Sequence, residues 1–262
     1  MSRHQRLNAI LTLLSEHGQL SVEDGVHRLG VSAATVRRDF DHLAQQQLLT
    51  RTHGGAVSTA TTYDLPLRYK IARQAEAKLR IARAAAAMAP LGGTVALNGG
   101  TTTNEVARAI ASRSDLATDQ GEHRITVVTN ALNIATELAV RPQVKIVVLG
   151  GVARPQSYEL IGPLTDAILD QVTADLAFIG VDTVDPEVGA MAHHGGEASV
   201  NRNMAARADK VVVVADSSKL QGRAFALICP PSDFDVLLTE KDPGDGVRRQ
   251  FAEHGVEVVV AQ

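Results

Sequence analysis

The sequence predicts a small helical domain closed by a short β-hairpin, followed by a larger α/β domain with a mainly parallel sheet. Three observations carry that prediction. Before residue 57, apolar residues recur at helical spacing and the segments are punctuated by Gly18 and Gly30. From Gly93 onward, short runs of β-branched residues alternate with helical stretches, the pattern of a sheet covered on both faces. Between the two, residues 58–64 (STATTYD) are polar and without period. The expected division is a domain at 1–57, a linker at 58–70 and a second domain at 71–262.

Composition narrows the class. The chain has 262 residues, 45% hydrophobic and 21% charged, as in an ordinary folded domain pair. Its single cysteine, Cys229, excludes an internal disulfide and any multi-cysteine zinc site. No run approaches the roughly 18 apolar residues of a membrane span, and the first helix alternates rather than forming the apolar core of a signal peptide. A cytoplasmic protein with no membrane partner is expected. The net charge of −3 sets aside a generally basic nucleic-acid binder but leaves room for a local basic face.

In the first domain, Leu7, Ile10, Leu11 and Leu14 share one helix face. Ser21 resembles a cap for a second helix lined by Val22, Val26 and Leu29, which Gly25 weakens. Ser32 opens a third helix with the stripe Val36, Phe40 and Leu43. Burying that stripe presents Ala34, Thr35 and Arg38 outward, with Arg37 on the flank. This is the geometry of a helix that reads base edges and phosphates in a major groove. The following segment reads as a wing, with Arg51 and His53 projecting before Gly54-Gly55, where glycine allows positive φ or close backbone approach. The DNA-contacting set is therefore Ser32, Ala34, Thr35, Arg37, Arg38, Arg51, His53 and Gly54. Arg3, Arg6, Arg28, Arg37, Arg38 and Arg51 face five acids, Glu16, Glu23, Asp24, Asp39 and Asp41, so one copy is nearly neutral and an oligomer is expected.

In the second domain, residues 71–88 form an alanine-rich helix. Strands are expected at 94–97, 125–129, 145–150, 175–180, 210–215, 235–239 and 256–260, with helices at 104–112, 131–140, 163–172 and 198–208. Ligands in such sheets sit at the carboxyl ends of strands. There the sequence places Asn98, Gly99, Gly100, Thr101 and Thr102 before a helix, a combination that suits an anion. Asn130, Gly151, Asp182 and Lys219 follow other strands, and Glu197 is placed to accept from sugar hydroxyls. His193-His194 has no evident third ligand, so no metal and no cofactor is expected.

The chain V-S-x-x-T-V-R-R-D-F-x-x-L from Val31, then L-x-R-x-H-G-G-A ending at Ala56, resembles the DeoR family of bacterial transcriptional regulators. The N-G-G-T-T loop at Asn98, T-N at Asn130, G-G at Gly151, G-V-D at Asp182 and D-S-S-K at Lys219 extend the resemblance over nearly the whole chain. It implies an N-terminal winged helix-turn-helix and an effector domain similar in fold to ribose-5-phosphate isomerase. It further implies a repressor of a sugar-utilisation operon, binding double-stranded operator DNA as a dimer or tetramer and released by a phosphorylated sugar. Asn98 departs from the aspartate many relatives carry, which points to an altered effector preference. Gly25 departs from a larger apolar residue. The enzyme alternative is a sugar-phosphate isomerase, since the segment through Asp182 resembles that active site. Ile179 stands where the isomerase pattern has an aspartate and His194 where it has a lysine, so a non-enzymatic sensor is expected. A nucleotide-dependent enzyme is disfavoured because no Walker lysine or dinucleotide fingerprint is present.

Overall fold

The computed structural model describes residues 1–46, 48–58, 66–70, 73–117 and 122–262. They fall into two compact units, Met1–Ala72 and Arg73–Gln262.

In the first unit, helix α1 (Arg3–His17) begins at Ser2, whose hydroxyl accepts from the Gln5 amide while the Gln5 side chain accepts from Ser2 N. Gly18, at φ 74°, ends it in the left-handed conformation that glycine adopts without steric cost. A three-residue strand β1 (Gln19–Ser21), not anticipated from the sequence, then buries Leu20. Helix α2 (Val22–Leu29) is capped by Ser21, and α3 (Ala33–Gln45) by Ser32. Strands β2 (Leu49–Arg51) and β3 (Gly55–Ser58) form the wing, and β3 pairs antiparallel with both β2 and β1. Neither Gly54 nor Gly55 has positive φ, correcting that expectation. Glycine is required at 55 because a Cβ there would lie 2.3 Å from the Leu20 carbonyl oxygen of β1. Leu7, Ile10, Leu11, Leu14, Val36, Phe40 and Leu43 form the core, as the spacing predicts.

The expected linker is shorter at both ends. Ser58 completes β3, and a helical turn, α4 (Leu67–Lys70), sends Leu67 and Tyr69 into buried positions. Tyr69 packs in the first unit's core and its hydroxyl donates to Gln46 Oε1 at 2.7 Å. The remaining linker residues, 59–65, lie outside the described residues, as do 71–72.

The second unit is built on seven parallel strands: β4 (Thr94–Leu97), β5 (Ile125–Thr129), β6 (Val144–Val148), β9 (Leu176–Gly180), β12 (Val211–Val214), β14 (Val236–Thr239) and β15 (Glu257–Val260). These are the seven runs read from the sequence. Their spatial order is β15-β14-β12-β9-β4-β5-β6. One face packs Val95, Leu97, Val127, Phe178, Val212 and Val214 against α5 (Ala75–Met88), α6 (Thr101–Ala111) and α7 (Leu132–Leu138). Alternate residues, among them Ala96, Val128, Ala177, Ile179 and Val213, face α8 (Asp166–Leu169), α9 (Gly195–Ala205) and α10 (Asp245–Glu253).

Two features on this second side were not read from the sequence. One is an antiparallel sheet of β10 (Thr183–Asp185), β11 (Gly189–Ala192) and β13 (Ala226–Cys229). The other is the small pair β7 (Val152–Ala153) and β8 (Leu160–Ile161). The helix expected at 163–172 is only the single turn α8. From β4 the chain moves outward through β5 and β6, then returns to β9 on the other side of β4. The carboxyl ends of β4 and β9 therefore flank a topological switch point, where a crevice opens in sheets of this kind.

Candidate nucleic-acid interface and effector site

On α3, Ser32 accepts from the Thr35 amide at 3.3 Å, and the two hydroxyls bond each other at 2.9 Å. Ala34, Arg37 and Arg38 are exposed, and among the described residues neither arginine makes a hydrogen bond or ion pair. Asp39, next in sequence, is buried and holds the Arg6 guanidinium through two hydrogen bonds. That bond, with the carboxylate's charge, raises the Arg6 pKa above its ordinary value. Arg6 and Asp39 thus cancel inside the unit, leaving the two free arginines of α3 unopposed by their nearest acid.

Arg51 does not project as expected. Its guanidinium pairs with Asp41 at 2.9 Å, donates to the Gly55 carbonyl at 2.9 Å and lies 5.4 Å over the Phe40 ring centroid. In this structure it braces the wing against α3. His53 and Gly54 do sit exposed at the wing tip. The surface available to a groove is therefore the N-terminal half of α3 with the wing tip beside it.

In the second unit, Asn98 spans the switch point. Its Nδ2 donates to the Gly180 carbonyl at 2.9 Å and its Oδ1 accepts from the Gly180 amide at 2.7 Å. Both ends of the amide thus bond one backbone residue of β9, and Asn98 braces β4 against it. Gly100, at φ 150°, precedes α6, which has no side-chain cap. The first amides of a helix lack intrahelical partners and present positive potential. Beside them the buried Thr102 hydroxyl also has no partner.

Lys219 reaches the same place: its Nζ donates to the Val181 carbonyl, one residue past β9, and its own carbonyl accepts from Thr183 Oγ1 at 2.9 Å. Asp216 caps the short turn that carries it, and Glu240 accepts from Ser217 N and Oγ at 2.9 and 2.6 Å. Lys78 of α5, only 4% exposed, donates to the Arg73 carbonyl. Burial first, then the neighbouring Lys219 charge, lowers its pKa to about 8.

On the other side of the 98–103 loop lies Glu159. A Cβ on Gly99 would be 2.3 Å from Glu159 Cγ, so only glycine fits beneath that carboxyl. Asn130 Nδ2 donates to Glu159 Oε2 at 3.3 Å, while Asn130 Oδ1 is buried without a donor. Glu197 forms a buried ion pair with Arg154 at 2.9 Å through one carboxyl oxygen. Asp182 Oδ2 accepts from His193 N at 2.9 Å. Gly151, at φ 138°, stands just before β7, where a Cβ would lie 2.9 Å from the Ile161 carbonyl oxygen of β8.

Family models match both units. Residues 6–62 match the DeoR-like helix-turn-helix domain, and residues 73–241 match the DeoR C terminal sensor domain. The chain belongs to the DeoR family of transcriptional regulators. It is 31% identical over 258 residues to the glycerol-3-phosphate regulon repressor of Escherichia coli (98% of this chain, 99% of the relative). It is 30% identical over 264 residues to the HTH-type transcriptional repressor GlcR of Bacillus subtilis (100% and 98%). Among solved structures, ribose 5-phosphate isomerase A of Methanocaldococcus jannaschii matches 56% of this chain and 55% of its own, at 21% identity and TM-score 0.41.

For this DeoR-family regulator the sequence located the strand ends, and the fold added Lys78, Arg154 and Glu159. Lys78 left a signal: it lies three and four residues before Ile81 and Ala82, in phase with a buried stripe. A lysine in that phase is costly to bury unless it has work there. Glu159 left none, because its burial depends on Gly99 and Asn130 meeting it from other strands.

Proposed function

We propose that this DeoR-family regulator represses a sugar-utilisation operon and leaves its operator when a phosphorylated sugar occupies the crevice between β4 and β9. The observation that carries the effector site is the uncapped first turn of α6 at Gly100–Thr102, with the partnerless Thr102 hydroxyl inside it and Lys219 and Lys78 nearby. Helix amides, a hydroxyl donor and ammonium groups are the chemistry that holds a phosphate. The repressor reading is supported by relatives named as repressors along the chain's full length, one of them of a glycerol-3-phosphate regulon.

The path from effector to DNA begins at Lys78. Its bond to the Arg73 carbonyl holds the first residue of the sensor unit. A phosphate that draws the ammonium competes with that bond and favours a second arrangement of the chain leading back to the DNA-binding unit. Affinity for DNA changes only by the effector's preference between the two arrangements. The partners are double-stranded DNA, a sugar phosphate and further copies of the chain, in the cytoplasm. No cofactor, metal or turnover enters this reading, and Ile179, wholly buried, supplies no carboxylate where the isomerase pattern has one.

The test uses an operator fragment captured from genomic DNA by the purified protein. Arg38→Ala is expected to abolish capture, with loss of about 1–3 kcal/mol of binding per reading head, while the sensor unit stays folded. Lys219→Ala is expected to stay on DNA at sugar-phosphate concentrations that release the parent. Wild-type operator affinity in the first variant removes α3 as the reader, and unchanged release in the second removes Lys219 from the site. Sustained aldose–ketose interconversion by the protein would put an enzyme in place of a sensor.

A further inference from the structure

We propose that Asn130 and Glu159 read a hydroxyl of the effector: the phosphate lies at the first turn of α6, and a sugar hydroxyl fills the hydrogen bonds that this pair leaves open beside it. The inference rests on the sensor reading above and gives Glu159, which the sequence did not single out, a part in choosing the ligand.

Both residues are fixed by their backbones. Asn130 directly follows β5, and Thr129 before it ties that strand end to β4 by donating from Oγ1 to the Leu97 carbonyl at 2.6 Å. Glu159 directly precedes β8 and bridges antiparallel to Ala131, while the Leu160 amide donates to the Asn130 carbonyl at 2.7 Å. The Glu159 side chain then lies against the glycine loop: a Cβ on Gly99 would stand 2.3 Å from its Cγ and 2.4 Å from its Oε1. Gly99 immediately precedes Gly100, where α6 begins. Successive Cα atoms are about 3.8 Å apart, so the carboxyl and the phosphate end are within reach of one monosaccharide.

The hydrogen bonds at this pair are incomplete. Asn130 is wholly buried, and its amide nitrogen donates to Glu159 Oε2 and the Leu160 carbonyl, both at 3.3 Å. A backbone carbonyl can only accept, which fixes the nitrogen end and leaves Oδ1 as a buried acceptor with no donor. Glu159, 3% exposed, accepts nothing at Oε1 among the described residues. Two residues past Gly100 the Thr102 hydroxyl, 2% exposed, is also without a partner. Polar groups buried this deeply are paired in folded proteins, so open positions grouped around one glycine loop mark the place of a ligand.

The chemistry of the opening is that of a hydroxyl. Asn130 Oδ1 needs a donor. Glu159 stands beside a loop suited to phosphate, and burial first, then the Glu197 charge, raises its pKa well above the usual carboxylate range. As a neutral acid it does not repel the phosphate, and it has a proton to donate. A hydroxyl donates one hydrogen bond and accepts others, so it serves both residues at once. A deoxy carbon serves neither, and the carboxylate of a phosphorylated sugar acid has no proton for Oδ1. The site therefore selects a polyhydroxylated phosphate ester with this one hydroxyl in place, against deoxy sugars and sugar acids of the same length.

The experiment is calorimetric titration of the full-length protein with glucose 6-phosphate, galactose 6-phosphate, fructose 6-phosphate and ribose 5-phosphate, each beside its monodeoxy analogues. For a parent that binds, loss of one particular hydroxyl should weaken binding about tenfold, the effect of leaving a buried acceptor unpaired. In Asn130→Ala, and separately in Glu159→Ala, that difference should shrink to about twofold or less, because the hydroxyl has lost its reader. Glu159→Gln keeps the shape and the donor of a neutral acid, so it should keep the difference to within about twofold of wild type while the melting transition persists. Deoxy analogues that all bind within about twofold of their parents would leave the open acceptor to water and overturn the assignment. A difference that survives both alanine substitutions would overturn it as well, and in either case the sensor reading stands. A difference lost as fully in Glu159→Gln as in Glu159→Ala would overturn donation by Glu159. Failure of every parent to bind would overturn both readings.

Discussion

Lys78 is a buried ammonium whose cost to the fold can be weighed against the phosphate-binding role proposed for it. At 4% exposure its pKa falls to about 8, through burial first and then Lys219. Between that value and the ordinary lysine value of 10.5, the unfolded chain binds more protons than the folded one, so this group's contribution to stability rises with pH across that window. At neutral pH the folded state carries the full penalty. Lys78→Met should therefore stabilise the sensor unit by about 1–2 kcal/mol near pH 7 while weakening phosphate-ester binding about tenfold. A bound phosphate favours the ammonium, so affinity for a phosphorylated sugar should be level below pH 8 and fall as pH passes about 8. Titrations with hexose phosphate from pH 7 to 9.5, before and after the substitution, check this; a pH profile unchanged by Lys78→Met would remove the lysine from the site. At this scale the sequence was legible where partners are local. Ser21 and Ser32 cap helices within three residues, as the chain shows, and Ser2 caps α1 in the same way. The bracing role of Asn98 was not legible because its partner, Gly180, is 82 positions away, and only the fold brings the two together.

Helices and strands were legible where their pattern is long enough to repeat. All seven strands of the parallel sheet are short runs rich in apolar residues, most of them β-branched, and the stripes of α1 and α3 are buried as spaced. The missed elements owe their existence to partners: β1 has three residues and is a strand only because β3 lies beside it. Helix α2 shows how a local rule fails. Gly25 reads as a weak point, since alanine is better by about 1 kcal/mol in a helix interior. In the structure its missing Cβ is what lets α3 approach: a Cβ there would stand 2.8 Å from Val36 Cγ1, on a β-branched side chain with little freedom to yield. Overpacking of this kind costs about 1–3 kcal/mol. Gly25→Ala should therefore destabilise the DNA-binding unit by about 1 kcal/mol in urea unfolding. In a Val36→Ala background the same change should become neutral or stabilising. Stabilisation by Gly25→Ala alone would show that α2 is not pressed against α3.

The chain carries two cores, and the boundary between them decides what each half can do alone. Tyr69 belongs to the first core and Leu67 is buried in the same unit, beyond the wing where the sequence reading placed the end of the domain. Burying two such side chains is worth roughly 3 kcal/mol, a large share of the stability of so small a unit. A fragment ending at Val57 should therefore melt well below one ending at Ala72, and Tyr69→Phe in the longer fragment should lose about 1 kcal/mol with the Gln46 hydrogen bond. Folding of the longer fragment does not make it a repressor. With Arg6 neutralised by Asp39 and Arg51 held by Asp41, its reading face offers chiefly Arg37 and Arg38, too few cations to hold DNA against physiological salt. In the oligomer proposed above, copies joined through their sensor units would turn the second contact into an intramolecular one, gaining about a hundredfold or more. Anisotropy titrations on one operator should show the Ala72 fragment binding at least about a hundredfold more weakly than the full chain, with a smaller slope of log affinity against log salt. Equal affinity and equal slope would mean that a single α3 suffices and that the α/β unit does not assemble the reading heads.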